Sequence, residues 1–202
     1  VYSGSIPSGY PAPQGGYYCG VGADEVYGRE ISEAHATACI EAGLGISGTN
    51  AEVMPGQWEF QVGYRGKDGE DAGLLNVADH TQLSRWLLSR LGEEYDTVVS
   101  FENKPIKGDW NGAGMHTNFS TAEMRAAGGI SHINSAVDRM AQRIQPHLDA
   151  YGVGYEMRLT GHHETCRYDE FKAGVSDRTA SVRIPANVAS AGCGYLEDRR
   201  PN

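Results

Sequence analysis

Apolar residues recur at helical spacing in three stretches, β-branched residues cluster in short runs, and Gly- and Pro-rich segments separate them. Ile31, Ala34 and Ala38 recur at helical intervals before Gly43, so the spacing predicts a helix over 28–42. Residues 46–62 read as extended around Pro55-Gly56, a type II turn signal. A two-residue loop there would set Met54 opposite Gln57, Val53 opposite Trp58 and Glu52 opposite Glu59. Residues 64–78 read as polar, Gly-rich loop. Asp79 is a candidate cap for a helix carrying Leu83, Trp86, Leu87 and Leu91, with Gly92 as its stop. The run 97–101 predicts a buried strand, and residues 105–121 predict loop running into strand. Ser120 with Glu123 forms a candidate capping box. Ile133, Val137, Met140, Ile144 and Leu148 line one face of a long helix that Pro146 must kink or end. Segments 155–160, 181–185 and 195–198 are further strand candidates, and residues 1–27 read as loop with short extended pieces. Without a regular βαβ rhythm or a repeat, the expected fold is α+β: an antiparallel-rich, curved sheet flanked by helices.

Composition narrows the function classes. A length of 202 residues suits one large domain or a big piece of one. The 27 glycines call for many tight turns and close backbone approaches. Net charge is −9 and the 17 basic residues are scattered, so no nucleic-acid partner is expected. No long apolar run and no secretory leader pattern occur, so neither membrane insertion nor secretion is expected. The four cysteines form no CxxC pair and read as reduced thiols of a cytoplasmic protein. A chain opening at Val1 and closing on "EDRRPN" is expected to be part of a longer protein, incomplete at both ends.

Four segments carry candidate chemistry. Glu52 and Glu59 share one face of the predicted hairpin. Like charges opposite each other destabilise a sheet, so either water or a hard divalent cation must relieve them. "NGAGMH" sets Asn111 beside glycines that permit close backbone approach, with His116 as a possible ligand. "RLTGHHET" places Arg158 at an expected strand end and Glu164 on a loop, as a gate, a base or a surface acid. Arg178 and Arg183 enter one strand, and Glu197 stands two residues before Arg199. Arginines among acids suit phosphate chemistry with divalent metals, or surface salt bridges. Neither GxxxxGK[ST] nor a kinase-type GxGxxG with its lysine is present, so an ATP site here is of another kind.

Together, "PAPQGGYYCGVGA", "NAEVMPGQWEFQVG", "KPIKGDWNGAGMHTNFST", "RLTGHHET" and "GYLEDRRP" resemble the glutamine synthetase family, in its eukaryote-type (class II) catalytic domain. They stand in the family's order and span almost the whole chain. The resemblance implies an ATP-dependent ligation of ammonia to glutamate through γ-glutamyl phosphate. It implies two Mg²⁺ or Mn²⁺ sites: Glu52 and Glu59 at one, His116 and Glu197 at the other. It places Asn111, Gly112 and Arg158 on glutamate, and Asn118, Ser120 and Arg183 on the nucleotide. It makes Arg178 and Arg199 catalytic through phosphoryl and acyl-phosphate contacts, with Glu164 as the flap residue that closes the site. A homo-oligomeric ring with active sites between subunits is implied as well.

Departures from the family pattern leave alternatives open. The family's N-terminal β-grasp domain and its upstream Glu-x-Glu strand lie outside these 202 residues. The isolated chain is therefore expected to turn over little. Tyr64 stands where Pro is common, the loop after it is longer than usual, and Met157 replaces an Arg beside Arg158. A non-catalytic homologue kept for assembly, or a related γ-glutamyl-amine ligase, stands as the alternative. An organellar location is compatible with the sequence.

Overall fold

The computed structural model describes residues 12–67, 69–163 and 165–202. The expected loop over 1–11, Asp68 and the candidate flap residue Glu164 lie outside the described residues. The chain divides into two compact units, Val1–Ser100 and Phe101–Asn202. Helices and antiparallel-rich sheets mix in the order that an α+β fold requires.

In the first unit, helix α1 (Arg29–Glu41) forms where the spacing predicted it and ends on Ala42 before Gly43, whose φ is 79°. Strands β1 (Ile46–Ala51) and β2 (Trp58–Val62) form an antiparallel hairpin. Its register corrects the expectation. Ala51 faces Trp58 and Asn50 faces Glu59, so Glu52 is not opposite Glu59. The Met54–Gln57 turn does form, with the Gln57 amide donating to the Met54 carbonyl at 2.9 Å and Gly56 at φ 78°. It sits inside a four-residue loop that closes where Glu52 N donates to Gln57 O. A type II turn does not match the twist of a two-residue hairpin, and the longer loop absorbs the mismatch. The slip is two residues, so Glu52 and Glu59 keep the same face.

A bulge between Ile46 and Gly48 makes one further adjustment. Without it, Ile46 would point with Gly48 and Asn50. The extra residue turns Ile46 to the face of Phe60 and Val62, where it packs with Cys39 and Leu44.

Helix α2 (Leu74–Glu94) begins five residues before the expected Asp79 cap. Asp71 starts it instead, accepting from Gly73 N at 2.7 Å while its carbonyl accepts from Asn76 Nδ2. Gly92 does not stop the helix. It is buried in the last turn, because Thr97 folds back to donate its amide to the Gly92 carbonyl at 2.9 Å. Asp96, at φ 49°, ends the helix in the left-handed conformation. Residues 97–101 form no ladder among the described residues, and Val98 is 95% exposed. A β-branched run predicts a strand only where a neighbour supplies the pairing.

The second unit is built on a four-stranded sheet in the order β3-β6-β5-β4. Strand β3 (Thr117–Phe119) leads to helix α3 (Ala122–Arg125), whose cap is Thr121 rather than Ser120. The Thr121 hydroxyl accepts from Met124 N, and Ser120 Oγ donates to Gly194 O at 2.6 Å. The long predicted helix is two: α4 (Ile130–Ala141) and α5 (Ile144–Ala150). The break precedes Pro146, which sits in the first turn of α5, where no intrahelical N–H is required.

Residues 155–158 form a helical turn, α6 (Tyr155–Arg158), and not the expected strand. Gly154 at φ 77° starts it, and the apparent two-residue alternation of Tyr155, Met157 and Leu159 misleads. Strand β4 (Ala173–Val175) pairs in parallel with β5 (Val182–Ile184). After α7 (Ala186–Ala191), β6 (Leu196–Asp198) inserts antiparallel between β3 and β5. Ile133 and Val137 of α4 pack on Val182, Ile184 and Leu196, which covers one face of the sheet. The opposite face carries Asn118, Glu197 and Arg183.

The first unit should weaken in acid. His35 is 2% exposed, with Nε2 donating to the Ser84 carbonyl at 2.8 Å and Phe60 meeting its ring edge-on. Burial lowers its pKa below 6.5, outweighing the opposing hydrogen bond to Ser84. The unfolded chain therefore binds an extra proton as pH falls below about 6.5, and stability is full above that pH and lost beneath it. Thermal melts at pH 7.5 and 5.5 should show a drop in Tm that His35→Gln reduces.

Candidate active site

Strand pairing brings most of the predicted residues of the second unit to one face. Asn118, Glu197 and Arg183 are register partners across β3, β6 and β5, so their side chains share a face. His116 lies two residues before Asn118 and Arg199 two after Glu197, which extends the row. Arg183 grips Glu197 with both edges of its fork, Nε to Oε2 at 2.5 Å and Nη2 to Oε1 at 2.9 Å. His116 Nδ1 stands 3.2 Å from Glu197 Oε1. Burial alone pushes the Glu197 carboxyl up. Hydrogen bonds and charge from His116 and Arg183 outweigh it and hold the group below the usual carboxylate range.

Arg199 is 1% exposed, with Nη1 donating to the carbonyls of Arg178 and Ala180 and Nε 3.9 Å from Glu197 Oε1. The Arg178 side chain is exposed on the turn that follows Asp177. Asp177 shapes that turn by accepting from Thr179 N at 2.8 Å and pairing with Lys172. Hydrogen bonds from Lys172 and Thr179 hold its carboxyl far below the usual range.

Arg158, Asn111 and Gly112 also come together, in a way the sequence did not suggest. Arg158 is buried, and its guanidinium donates to the carbonyls of Arg199, Arg200 and Pro201 and to Asn202 Oδ1. Its side chain passes over Gly112 and Gly114. A Cβ on Gly112 would lie 2.5 Å from Arg158 Cγ and 2.6 Å from the Asn103 carbonyl oxygen. A Cβ on Gly114 would lie 2.5 Å from Arg158 Nη1. What approaches these glycines is the arginine itself. Asn111 is buried beside them, and Lys104 Nζ fixes the preceding loop by donating to the Gly108 and Trp110 carbonyls. His163, the neighbour of Glu164, meets Asp109 at 3.1 Å and ties the two loops.

Behind the row lies a second charged set that sequence reasoning missed. Asp198 and Arg200 point to the opposite face of β6 and are both nearly inaccessible. Arg200 pairs with both Asp198 oxygens, at 2.9 and 2.7 Å, and Tyr151 donates its hydroxyl to Asp198 Oδ2 at 2.6 Å. Arg200 Nη2 also meets His147 Nδ1 at 3.1 Å. Burial, then the Arg200 charge, lowers the His147 pKa, so the ring is neutral and accepts that bond. The sequence signal was the alternation of Glu197-Asp198-Arg199-Arg200, two salt pairs on opposite faces.

In the first unit, Asn50 Nδ2 donates to Glu52 Oε1 at 3.0 Å and to Glu59 Oε2 at 3.5 Å. Sequence reasoning missed Asn50 as well. Two carboxylates converging on one face are hard oxygen donors suited to Mg²⁺ or Mn²⁺. His116 with Glu197 forms a second donor pair, and a carboxylate retains lone pairs beyond those an Arg fork takes. Among the described residues no three of His, Cys, Asp and Glu converge. Each pair thus leaves further coordination positions to other donors.

Residues 5–201 match the family model described as glutamine synthetase, catalytic domain. The chain is 55% identical over 194 residues to the chloroplastic glutamine synthetase of Chlamydomonas reinhardtii, covering 96% of this chain and 49% of that protein. It is 55% identical over 196 residues to glutamine synthetase of Streptomyces viridochromogenes, covering 96% and 54%. It is 53% identical over 199 residues to the mitochondrial glutamine synthetase 1 of Drosophila melanogaster, covering 96% and 48%. The chain spans about half the length of the curated relatives it matches.

Replacing Gly112 by Ala should lower stability by about 1–3 kcal/mol, the range for forcing extra atoms into a packed site. Urea denaturation measures it. Tyr151→Phe, which leaves one Asp198 oxygen short of a donor, should cost about 1–2 kcal/mol in the same assay.

Proposed function

Because the chain belongs to the glutamine synthetase catalytic-domain family, we propose that the protein carrying it joins ammonia to L-glutamate at the expense of ATP. The observation that supports this best is the charged row of His116, Asn118, Glu197, Arg183 and Arg199 on one sheet face. Phosphoryl transfer needs carboxylates to hold cations and arginines to meet transferred oxygens, and the row offers both. Glu52 with Glu59, and His116 with Glu197, would hold divalent cations, which would supply the positive charge that a chain of net charge −9 lacks.

Glutamate is held by Asn111, Gly112 and Arg158. Arg158 also sets the backbone that presents Arg199, through the carbonyls of residues 199–201. Asn118, Ser120 and Arg183 face the nucleotide. The γ-carboxylate of glutamate attacks the γ-phosphate, giving γ-glutamyl phosphate and ADP. Arg178 and Arg199 neutralise the oxygens that gather charge in that step. Glu164 covers the acyl phosphate and takes a proton from ammonium, and ammonia then displaces phosphate to give glutamine. Exclusion of water at that stage protects the intermediate from hydrolysis.

We further propose a homo-oligomeric assembly. Leu74, Leu75, Leu83 and Trp86 of α2 are more than half exposed, which suits a surface that another chain covers. Among the described residues no helix is long and apolar enough to cross a membrane. The location we propose is the cytoplasm or an organelle, since the relatives include chloroplastic and mitochondrial proteins.

The test is γ-glutamyl hydroxamate formation from glutamate, hydroxylamine, ATP and Mg²⁺ by the protein in its full natural length. Product is expected, and its absence from a folded protein overturns the reading. Glu197→Gln should lower kcat/KM by about 100-fold or more.

A further inference from the structure

Asn50 lies directly opposite Glu59 and two residues before Glu52, so all three side chains stand on one face of the hairpin. Its amide nitrogen reaches both acids, 3.0 Å from Glu52 Oε1 and 3.5 Å from Glu59 Oε2. The remaining oxygens are turned to other donors. Glu52 Oε2 accepts from Val53 N at 3.2 Å, and Glu59 Oε1 accepts from Gln61 Nε2 at 3.4 Å. Two anionic groups are thus drawn toward a common point by one neutral group with two N–H donors.

We propose that Asn50 is a positioning residue that stands in for the divalent cation. It holds Glu52 and Glu59 together when no cation is bound and gives up their facing oxygens when one binds. This rests on the assignment of Glu52 and Glu59 to a cation. The amide carries only partial positive charge, so it screens the two carboxylates without neutralising them. A divalent cation neutralises them fully and holds oxygens at about 2.0–2.6 Å, closer than any N–H donor. The hydrogen bonds of Asn50 therefore stabilise the cation-free hairpin and oppose cation binding by the same amount. The chain gains a hairpin that forms before metal arrives, at the cost of affinity once it does.

The test compares the full natural-length protein with Asn50→Ala and Glu52→Gln by Mn²⁺ titration, with free Mn²⁺ read by electron paramagnetic resonance. Melts in EDTA and in saturating Mn²⁺ run alongside. Glu52→Gln should lose one class of Mn²⁺ site. Asn50→Ala should melt lower than the wild type in EDTA, match it in saturating Mn²⁺, and bind Mn²⁺ about tenfold more tightly at that site, the factor one net charge-assisted hydrogen bond supplies. Weaker or unchanged binding by Asn50→Ala, with the site lost in Glu52→Gln, overturns the stand-in role and leaves the cation assignment standing. Unaltered Mn²⁺ binding by Glu52→Gln overturns both.

Discussion

Two successive buried carboxylates, Glu197 and Asp198, govern the second unit. A strand sends neighbouring side chains to opposite faces, so the two acids cannot share partners. Each needs its own cation, and each has an arginine fork: Arg183 on one side, Arg200 on the other. A buried charge stripped of its partner costs about 3–5 kcal/mol, so neither fork is dispensable. The requirement reaches outward. Arg183 fixes β5 against β6, Tyr151 and His147 bring α5 and its end to the back of the sheet, and His116 brings in the segment leading to β3. The row of His116, Asn118, Glu197 and Arg199 is therefore held from behind by a second, buried row.

The first unit meets a similar conflict with weaker means. Glu52 and Glu59 share a face, and the neutral Asn50 amide reaches both. The difference follows from burial. Both acids are only half-buried, so water carries part of the load that a guanidinium carries at Glu197.

Much of this was legible in the sequence, and the failures share a cause. Helix α1, the hairpin, β5 and β6 followed from spacing and turn residues alone. The register of the hairpin did not, because Pro55-Gly56 announces the turn type but not the length of the loop around it. Residues 97–101 and 155–160 failed for the same reason: alternation and β-branching describe a strand's faces, while a ladder needs a neighbour. The helix stop at Asp96 was hidden because a glycine, Gly92, stood nearby and served packing instead. Among site residues, Glu52, Glu59, His116, Arg183, Glu197 and Arg199 all carry chemistry visible in their residue type. Asn50, Tyr151 and Asp198 act through partners that only the register supplies. The glycines of "NGAG" were read as room for a ligand, and the arginine that occupies that room comes from over forty residues further on.

That threading has a consequence for assembly in time. Arg158 crosses Gly112 and Gly114 on one side and holds the carbonyls of residues 199–201 on the other, the Pro201 contact spanning a sequence separation of 43. Met115 N in turn donates to Pro201 O. None of the three segments can settle without the other two, and bringing them together means closing long loops whose entropy is lost before any of these bonds forms. The 111–114 loop thus depends on contacts far along the chain, and on a ribosome it would lack them until residues 199–202 had emerged.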